Sequence, residues 1–324
     1  MTHLANRKTA LAALLVTASA LAVLIARGRP IAAAPAHAVA RPTLATPSNA
    51  KACWVEYGRN ETLGQVGTAG ITHAAKWDIT VSGLLVRHPK GDLVIDVGNS
   101  SAFTAEIADY PVLERTWLTL LPGSNRVVAT APQALRAAGV NPDQLTVVPT
   151  HAHVDHLGGL VDLPGARVLM PQEEIDFAGG HGDDHYLHVV PAHARTLRGR
   201  TTPIAFEARP YETFDESADL LGDGTVVAVK LFGHTPGSIG VFVNVSPNHR
   251  FFHVGDAVNV LEAVERRLTK SIVMAGTDHE RAAADAAVAQ IARLHEAEPE
   301  IAVLPAHDRD AWKRAFGEPG ACVN

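Results

Sequence analysis

The stretch Thr150-His151-Ala152-His153-Val154-Asp155-His156-Leu157-Gly158-Gly159 constrains this chain more than any other feature. Three imidazoles and a carboxylate so close together cannot share one face of a helix. At the exit of a strand, an irregular loop turns all four to one side, and the apolar run 145–149 supplies that strand. Imidazole nitrogen and carboxylate oxygen are the donors that suit zinc and related divalent cations. Gly158 and Gly159 let the backbone pass close to such a site and enter the next helix.

Three further signals follow the same rule. Gly233-His234-Thr235-Pro236-Gly237-Ser238 comes after the β-rich run 225–231, Gly255-Asp256 after 251–254, and Pro305-Ala306-His307-Asp308 after 301–304. Each places one donor at a strand end, where loops on a rigid scaffold commonly build sites. Alone, His234 or His307 would be a surface or satisfied core histidine, Asp256 a turn residue and Asp155 a helix cap. In the company of the first cluster, they read as ligands. Asp96, in Ile95-Asp96-Val97-Gly98, either orients a ligand or caps a turn.

Together these motifs closely resemble those of the metallo-β-lactamase superfamily, and they span most of the chain from Asp96 to His307. The resemblance implies an α/β fold of the αβ/βα sandwich kind, two packed β-sheets flanked by helices with the metals at one edge. It assigns His151, His153 and His234 to a first zinc and Asp155, His156 and His307 to a second, with Asp256 bridging both. Asp96 would orient a ligand, as metal-bound histidines usually require. The activity implied is that of a zinc-dependent hydrolase whose nucleophile is a hydroxide shared between two cations, with Asp155 and Asp256 orienting it. Manganese, cobalt or iron would fit the same donors.

The donor set also separates branches. Asp256 supplies a carboxylate that true metallo-β-lactamases lack, and no cysteine stands near any motif. His153 occupies the place of a glutamate in the di-iron flavoproteins of the superfamily. The pattern resembles glyoxalase II and, with Gly158–Gly165 followed by Val168-Leu169-Met170-Pro171, most of all the N-acyl-homoserine lactonase and methyl-parathion-hydrolase-like branch. That implies cleavage of an ester or lactone of a small molecule. Phosphotriester or phosphodiester hydrolysis is the alternative, β-lactam hydrolysis the third, and a non-catalytic metal-binding protein the fourth. One departure matters: Asn259 stands three residues after Asp256, where such lactonases often carry tyrosine. Its amide can contact a substrate carbonyl but cannot act as a phenolic acid.

Arg7 and Lys8 precede an apolar run, 11–26, and a small-residue stretch ending in Ala36-His37-Ala38. This is the order of a secretory signal peptide over residues 1–38, with a linker over 39–50 and the hydrolase domain over 51–324. An uncleaved membrane anchor is the rival, since Arg27 and Arg29 sit where a signal peptide is usually neutral; a buried helix is the third reading. The chain is expected outside the cytoplasm, periplasmic or secreted, and touches a membrane only if that segment is kept. In an oxidising compartment Cys53 and Cys322 are expected to bridge, stapling the first strand to the tail; two free thiols are the alternative.

Formal charge is −6, and removing the four positive charges of residues 1–38 leaves −10. An acidic body without a long Lys/Arg run excludes nucleic acid as the main partner. No sequence feature sets an oligomeric state. Elements are expected as strands over 79–87 and 93–97, a helix over 130–138, a strand over 167–170 with a helix after it, a helix over 279–296 and a last strand over 301–304. Residues 178–200, with His181, His185, His188 and His193, read as a long loop or lid whose histidines are loop residues, contact of one with substrate being the lesser reading. Residues 118–121 read as core rather than an acyl pocket.

Overall fold

The computed structural model describes residues 28–35, 39–40, 49–62, 77–120, 127–182, 188–272 and 274–324. Its strands are β1 (Lys51–Thr62), β2 (Trp77–Arg87), β3 (Leu93–Ile95), β4 (Thr146–Val148), β5 (Arg167–Met170), β6 (Thr201–Pro203), β7 (Ser217–Asp219), β8 (Val226–Lys230), β9 (Ile239–Ser246), β10 (His249–His253), β11 (Ala302–Leu304) and β12 (Cys322–Val323). They form two sheets, one in the order β12-β1-β2-β3-β4-β5-β6 and one in the order β11-β10-β9-β8-β7.

The alternation of side chains along a strand explains why these runs are apolar throughout. Leu84 and Val86 of β2 face Val226, Ala228, Val241 and Val243 of the other sheet across the inner core. Val81 and Leu85 face the outer layer with Ala131, Leu135 and Ala178. On the far side, Val227, Val229 and Phe242 meet Val288, Ile291 and Leu294 of the helix Arg281–Ala297. Each sheet is thus buried on both faces, as the expected sandwich requires.

Strand direction then places the site. β3 runs parallel to β4, and β8, β10 and β11 share one direction because β8 and β10 are both antiparallel to β9 while β10 and β11 are parallel. The strand exits carrying Asp96, His151, His234, Asp256 and His307 therefore gather at one edge. The two sheets are joined there by a hydrogen bond from the Ile239 N–H to the Thr150 carbonyl, 3.0 Å.

The helix Ala131–Ala137 begins at Thr130 with a capping box completed by Gln133, matching the expected 130–138. The lid region is not wholly loop. Residues 191–195 form a short helix whose His193 is fully buried and donates from Nε2 to Glu106, 2.8 Å. His185 lies outside the described residues. Leu118 packs with Phe103, Ile107, Tyr110, Val154 and Val190, which makes it core; Leu121 lies outside the described residues.

Cys53 and Cys322 face each other across β1 and β12 and form a disulfide. A second tie holds the N-terminal side, within the stretch expected as leader and linker. Arg29 donates its N–H to Thr269 Oγ1 (3.0 Å) and accepts from the Thr269 N–H (2.9 Å). The Ile31 N–H reaches the Arg267 carbonyl (2.7 Å), and Ala40 exchanges two backbone bonds with Glu212 (2.7 and 2.9 Å). Arg267 and Glu212 are two of the four described non-glycine residues with positive φ, at 48° and 50°. Such backbone persists where its surroundings over-determine it, and this strap supplies part of that restraint. Residues 1–27 and 36–38 of the stretch expected as leader lie outside the described residues.

A chain beginning at Val39 should accordingly melt several degrees below one beginning at Gly28, since each lost hydrogen bond is worth about 0.5–1.5 kcal/mol. Equal melting temperatures by calorimetry would show the strap to be ornamental.

Candidate metal centre

Each candidate donor sits just beyond the end of a strand. His151 and His153 follow β4, and Asp155 and His156 begin the one-turn helix Val154–Leu157. His234 follows β8, Asp256 follows β10 and His307 follows β11. The structure brings all seven together. His151, His153 and His234 offer nitrogens within 4.8 Å of one another, as do the donors of Asp155, His156 and His307, and those of His151, His156 and Asp256.

Asp256 lies between the two triads. Its Oδ1 is 3.3 Å from His156 Nε2 and 3.1 Å from His307 Nε2, while Oδ2 is 3.7 Å from His234 Nε2. Asp155 faces His307 Nε2 at 3.4 Å and His156 Nε2 at 3.7 Å. Nevertheless, Nε2 of His151, His156, His234 and His307 and Oδ1 of Asp256 are buried without a hydrogen-bond partner. Buried polar atoms are otherwise almost always paired. A set of buried nitrogens and carboxylate oxygens aimed at common points fits divalent cations, and the His/Asp groups can hold a metal.

The opposite edge of each ring is fixed by the protein. His156 donates from Nδ1 to Asp96, 2.8 Å, and His307 donates from Nδ1 to the Thr80 carbonyl, 2.8 Å. His234 Nδ1 meets Asp278, 2.8 Å. These contacts leave Nε2 as the available lone pair. Asp96 also accepts from the Thr150 N–H (2.7 Å) and hydroxyl (2.9 Å), with φ of 60°. It thus sits where the sequence placed it, against a ligand ring rather than capping a turn alone.

Electrostatics divide the site. Burial and the neighbouring imidazoles hold His151 and His153 well below the usual imidazole range. Burial also acts on His156 and His307, yet the carboxylates of Asp256 and Asp155, with Asp96 for His156, outweigh it and raise both. Asp256 is raised by burial but lowered further by His307 and His156, so it stays ionised.

Glu174, Lys270, Asp278 and His253 carry no sequence signal, whereas the sequence itself singles out His188 and Asn259. Glu174, fully buried, accepts from the Ala152 N–H (2.7 Å) and the Gly237 N–H (2.8 Å), clamping two ligand loops together; burial pushes its carboxyl up to about 7. A Cβ on Gly237 would lie 2.5 Å from the Glu174 nitrogen, so only glycine admits this approach. Lys270 pairs with Asp278, and His253 lies beneath Asp96 at 3.6 Å. His188, at φ 69°, sets its ring 5.1 Å from His153. Asn259 is buried three residues beyond Asp256.

Two sheets presenting a seven-residue donor cluster at one edge define a metal-centred αβ/βα sandwich. The sequence profile of the metallo-beta-lactamase superfamily matches residues 76–307, and the chain belongs to that superfamily. It is 25% identical over 254 residues to the N-acyl homoserine lactonase AttM of Rhizobium radiobacter, covering 74% of this chain and 86% of that one. It is 28% identical over 185 residues to a probable metallo-hydrolase of Mycobacterium tuberculosis, covering 52% and 56%. Among solved structures, a quorum-quenching N-acyl homoserine lactone lactonase superposes with a TM-score of 0.61 at 15% identity, over 84% of this chain and 97% of that one. A hydrolase of the beta-lactamase superfamily, AbOPH, gives 0.53 at 15%, over 84% and 91%. Such likeness at low identity shows the shared fold.

Glu174→Gln should lower stability by about 1–3 kcal/mol, because the amide keeps one acceptor oxygen and its NH2 group cannot accept the second backbone N–H. Hydrogen exchange at the Ala152 and Gly237 amides should quicken. Unchanged melting and unchanged protection would remove Glu174 from this role.

Proposed function

We propose that this protein is an exported, metal-dependent hydrolase that opens lactones and cleaves related esters of small molecules, holding two divalent cations, zinc by preference. The observation that carries the reading is the placement of Asp256, whose two oxygens face the two triads separately. His151, His153 and His234 would hold one cation, Asp155, His156 and His307 the other, and Asp256 both. When bound, such ions supply Lewis acidity and bring the pKa of water towards neutrality.

The chain's own residues then do the positioning. Asp96 and Thr80 keep His156 and His307 turned so that Nε2 faces inward. Asp155 and Asp256 project oxygens into the same gap, where they accept hydrogen bonds from the attacking water and fix its direction. A carboxylate oxygen of Asp155 can carry the proton to the leaving alkoxide. Asn259 offers an amide and not a phenol three residues from Asp256, so the departing oxygen takes its proton from a carboxylate. The lactonase names of the AttM relatives support a lactone as substrate. The Cys53–Cys322 bridge supports an oxidising compartment, and with the basic-apolar-small order of residues 1–38 it supports export.

The test is elemental analysis together with a panel of an N-acyl homoserine lactone, an aryl ester, a phosphotriester and a β-lactam. The expected result is two metal ions per chain and the highest kcat/KM on the lactone; a preference for the phosphotriester would replace this assignment. His151→Ala and Asp256→Ala should each lose at least one ion and about a thousandfold in rate, since a cation supplies several kcal/mol of charge stabilisation.

A further inference from the structure

A buried lysine stands beside a site built to receive cations. Lys270 Nζ lies 2.5 Å from Asp278 Oδ1 and 3.1 Å from His234 Nδ1, and the side chains of Lys270, Asp278 and His234 are 5%, 2% and 2% exposed. His234 is the ring that offers Nε2 to the His151/His153 triad. Positive charge so close to a cation pocket is repulsive, and low exposure leaves little water to screen it.

The other triad is backed differently. Behind His156 stands Asp96, whose hydrogen bonds come from neutral donors, the Thr150 amide and hydroxyl, besides His156 itself. His253, its further neighbour, is held to about 4 by burial and is uncharged. Asp155 adds its own negative charge on that side, while Asp256 lies between the two pockets with an oxygen towards each. Thus, with Asp256 common to both, one pocket is three imidazoles backed by a carboxylate paired with a lysine. The other holds the Asp155 carboxylate with two imidazoles and is backed by Asp96, which among the described residues has no lysine or arginine beside it.

We propose that Lys270 and Asp278 are positioning residues that make the two cation pockets unequal, so that the His151/His153/His234 pocket binds its ion more weakly and fills second. Asp278 orients His234 and makes it a better donor; Lys270 withdraws that gain. An ion held by less electron-rich ligands keeps more of its acidity for the substrate. The inference rests on the proposed two-cation reading.

The holoenzyme would be dialysed against a graded series of zinc buffers and its zinc counted per chain. Wild-type protein should release its two ions in separate steps. Lys270→Met should shift the weaker step to lower free zinc by about tenfold or more, and Lys270→Arg should leave it in place. Lys270→Gln keeps a donor to Asp278 without the charge and makes the same prediction if the methionine variant fails to fold. Asp278→Asn should shift the weaker step the other way, by about 10–100-fold. If neutral variants melt lower yet leave both steps unmoved, or move only the tighter one, Lys270 is a structural ion-pair partner and the proposal is overturned. Failure of the chain to bind zinc at all would overturn the two-cation reading instead.

Discussion

The buried carboxylate of Asp96 is the contact on which the metal edge depends. It stands at the exit of β3 and takes hydrogen bonds from Thr150 at the exit of β4 and from the ring of His156. A carboxylate withdrawn from water is costly unless its lone pairs are used. Here the partners that satisfy it are those that aim the ligand loop. The loops on either side lock in the same way, since the Val97 N–H bonds the His156 carbonyl and the Gly159 N–H bonds the Gly98 carbonyl. A Cβ on Gly159 would lie 2.1 Å from the Val97 carbonyl oxygen. The stretch of three histidines needs its following glycines for that closeness, not for flexibility.

The convergence of the seven side chains was legible because their residue types suit a cation, and because each follows a run apolar enough to be a strand buried on both faces. Asp96 was half legible: its place after Ile95 was visible, while its partner His156, 60 positions away, is known only from the fold. Glu174, Asp278 and Lys270 were illegible for a different reason. They act on backbone N–H groups or on another side chain, and such work leaves neither periodicity nor motif. Glu174 looked like one more acidic residue in a first helical turn. Its real partners are the amides of Ala152 and Gly237, 22 and 63 positions away. His193 was read as loop because a five-residue helix is too short for a period to register. The backbone ties at Arg29, Ile31 and Ala40 were hidden by composition, since a small-residue stretch resembles a leader whether or not its backbone is also used.

These unread contacts share a geometry. Glu174 joins the 151–153 loop to the 234–238 loop, the Ile239 amide joins β9 to Thr150, and the Ala306 amide joins the His307 loop to Gly255. Each link runs between strand exits and not along a strand. The sandwich core sets the sheets, but it leaves the loops at their edge free to drift by the ångström that decides whether donors converge. Polar cross-links of this kind hold a site to the tolerance that coordination needs.

The division of charge across the site follows from where the carboxylates stand. Asp155 and Asp256 face His156 and His307, and Asp96 lies behind His156, so protons are drawn to that side. His151 and His153 have mainly other rings for neighbours and are kept neutral. A cation arriving beside His156 and His307 competes with protons that the carboxylates favour, while one arriving beside His151 and His153 meets donors already deprotonated. The carboxylates that would make the first side attractive to a divalent ion also make it attractive to protons, so any cation held there would compete with them. On the imidazole side, Lys270 pairs with Asp278 behind the ring of His234. The two halves of one site therefore answer to different influences, and Asp256, with an oxygen towards each, couples them.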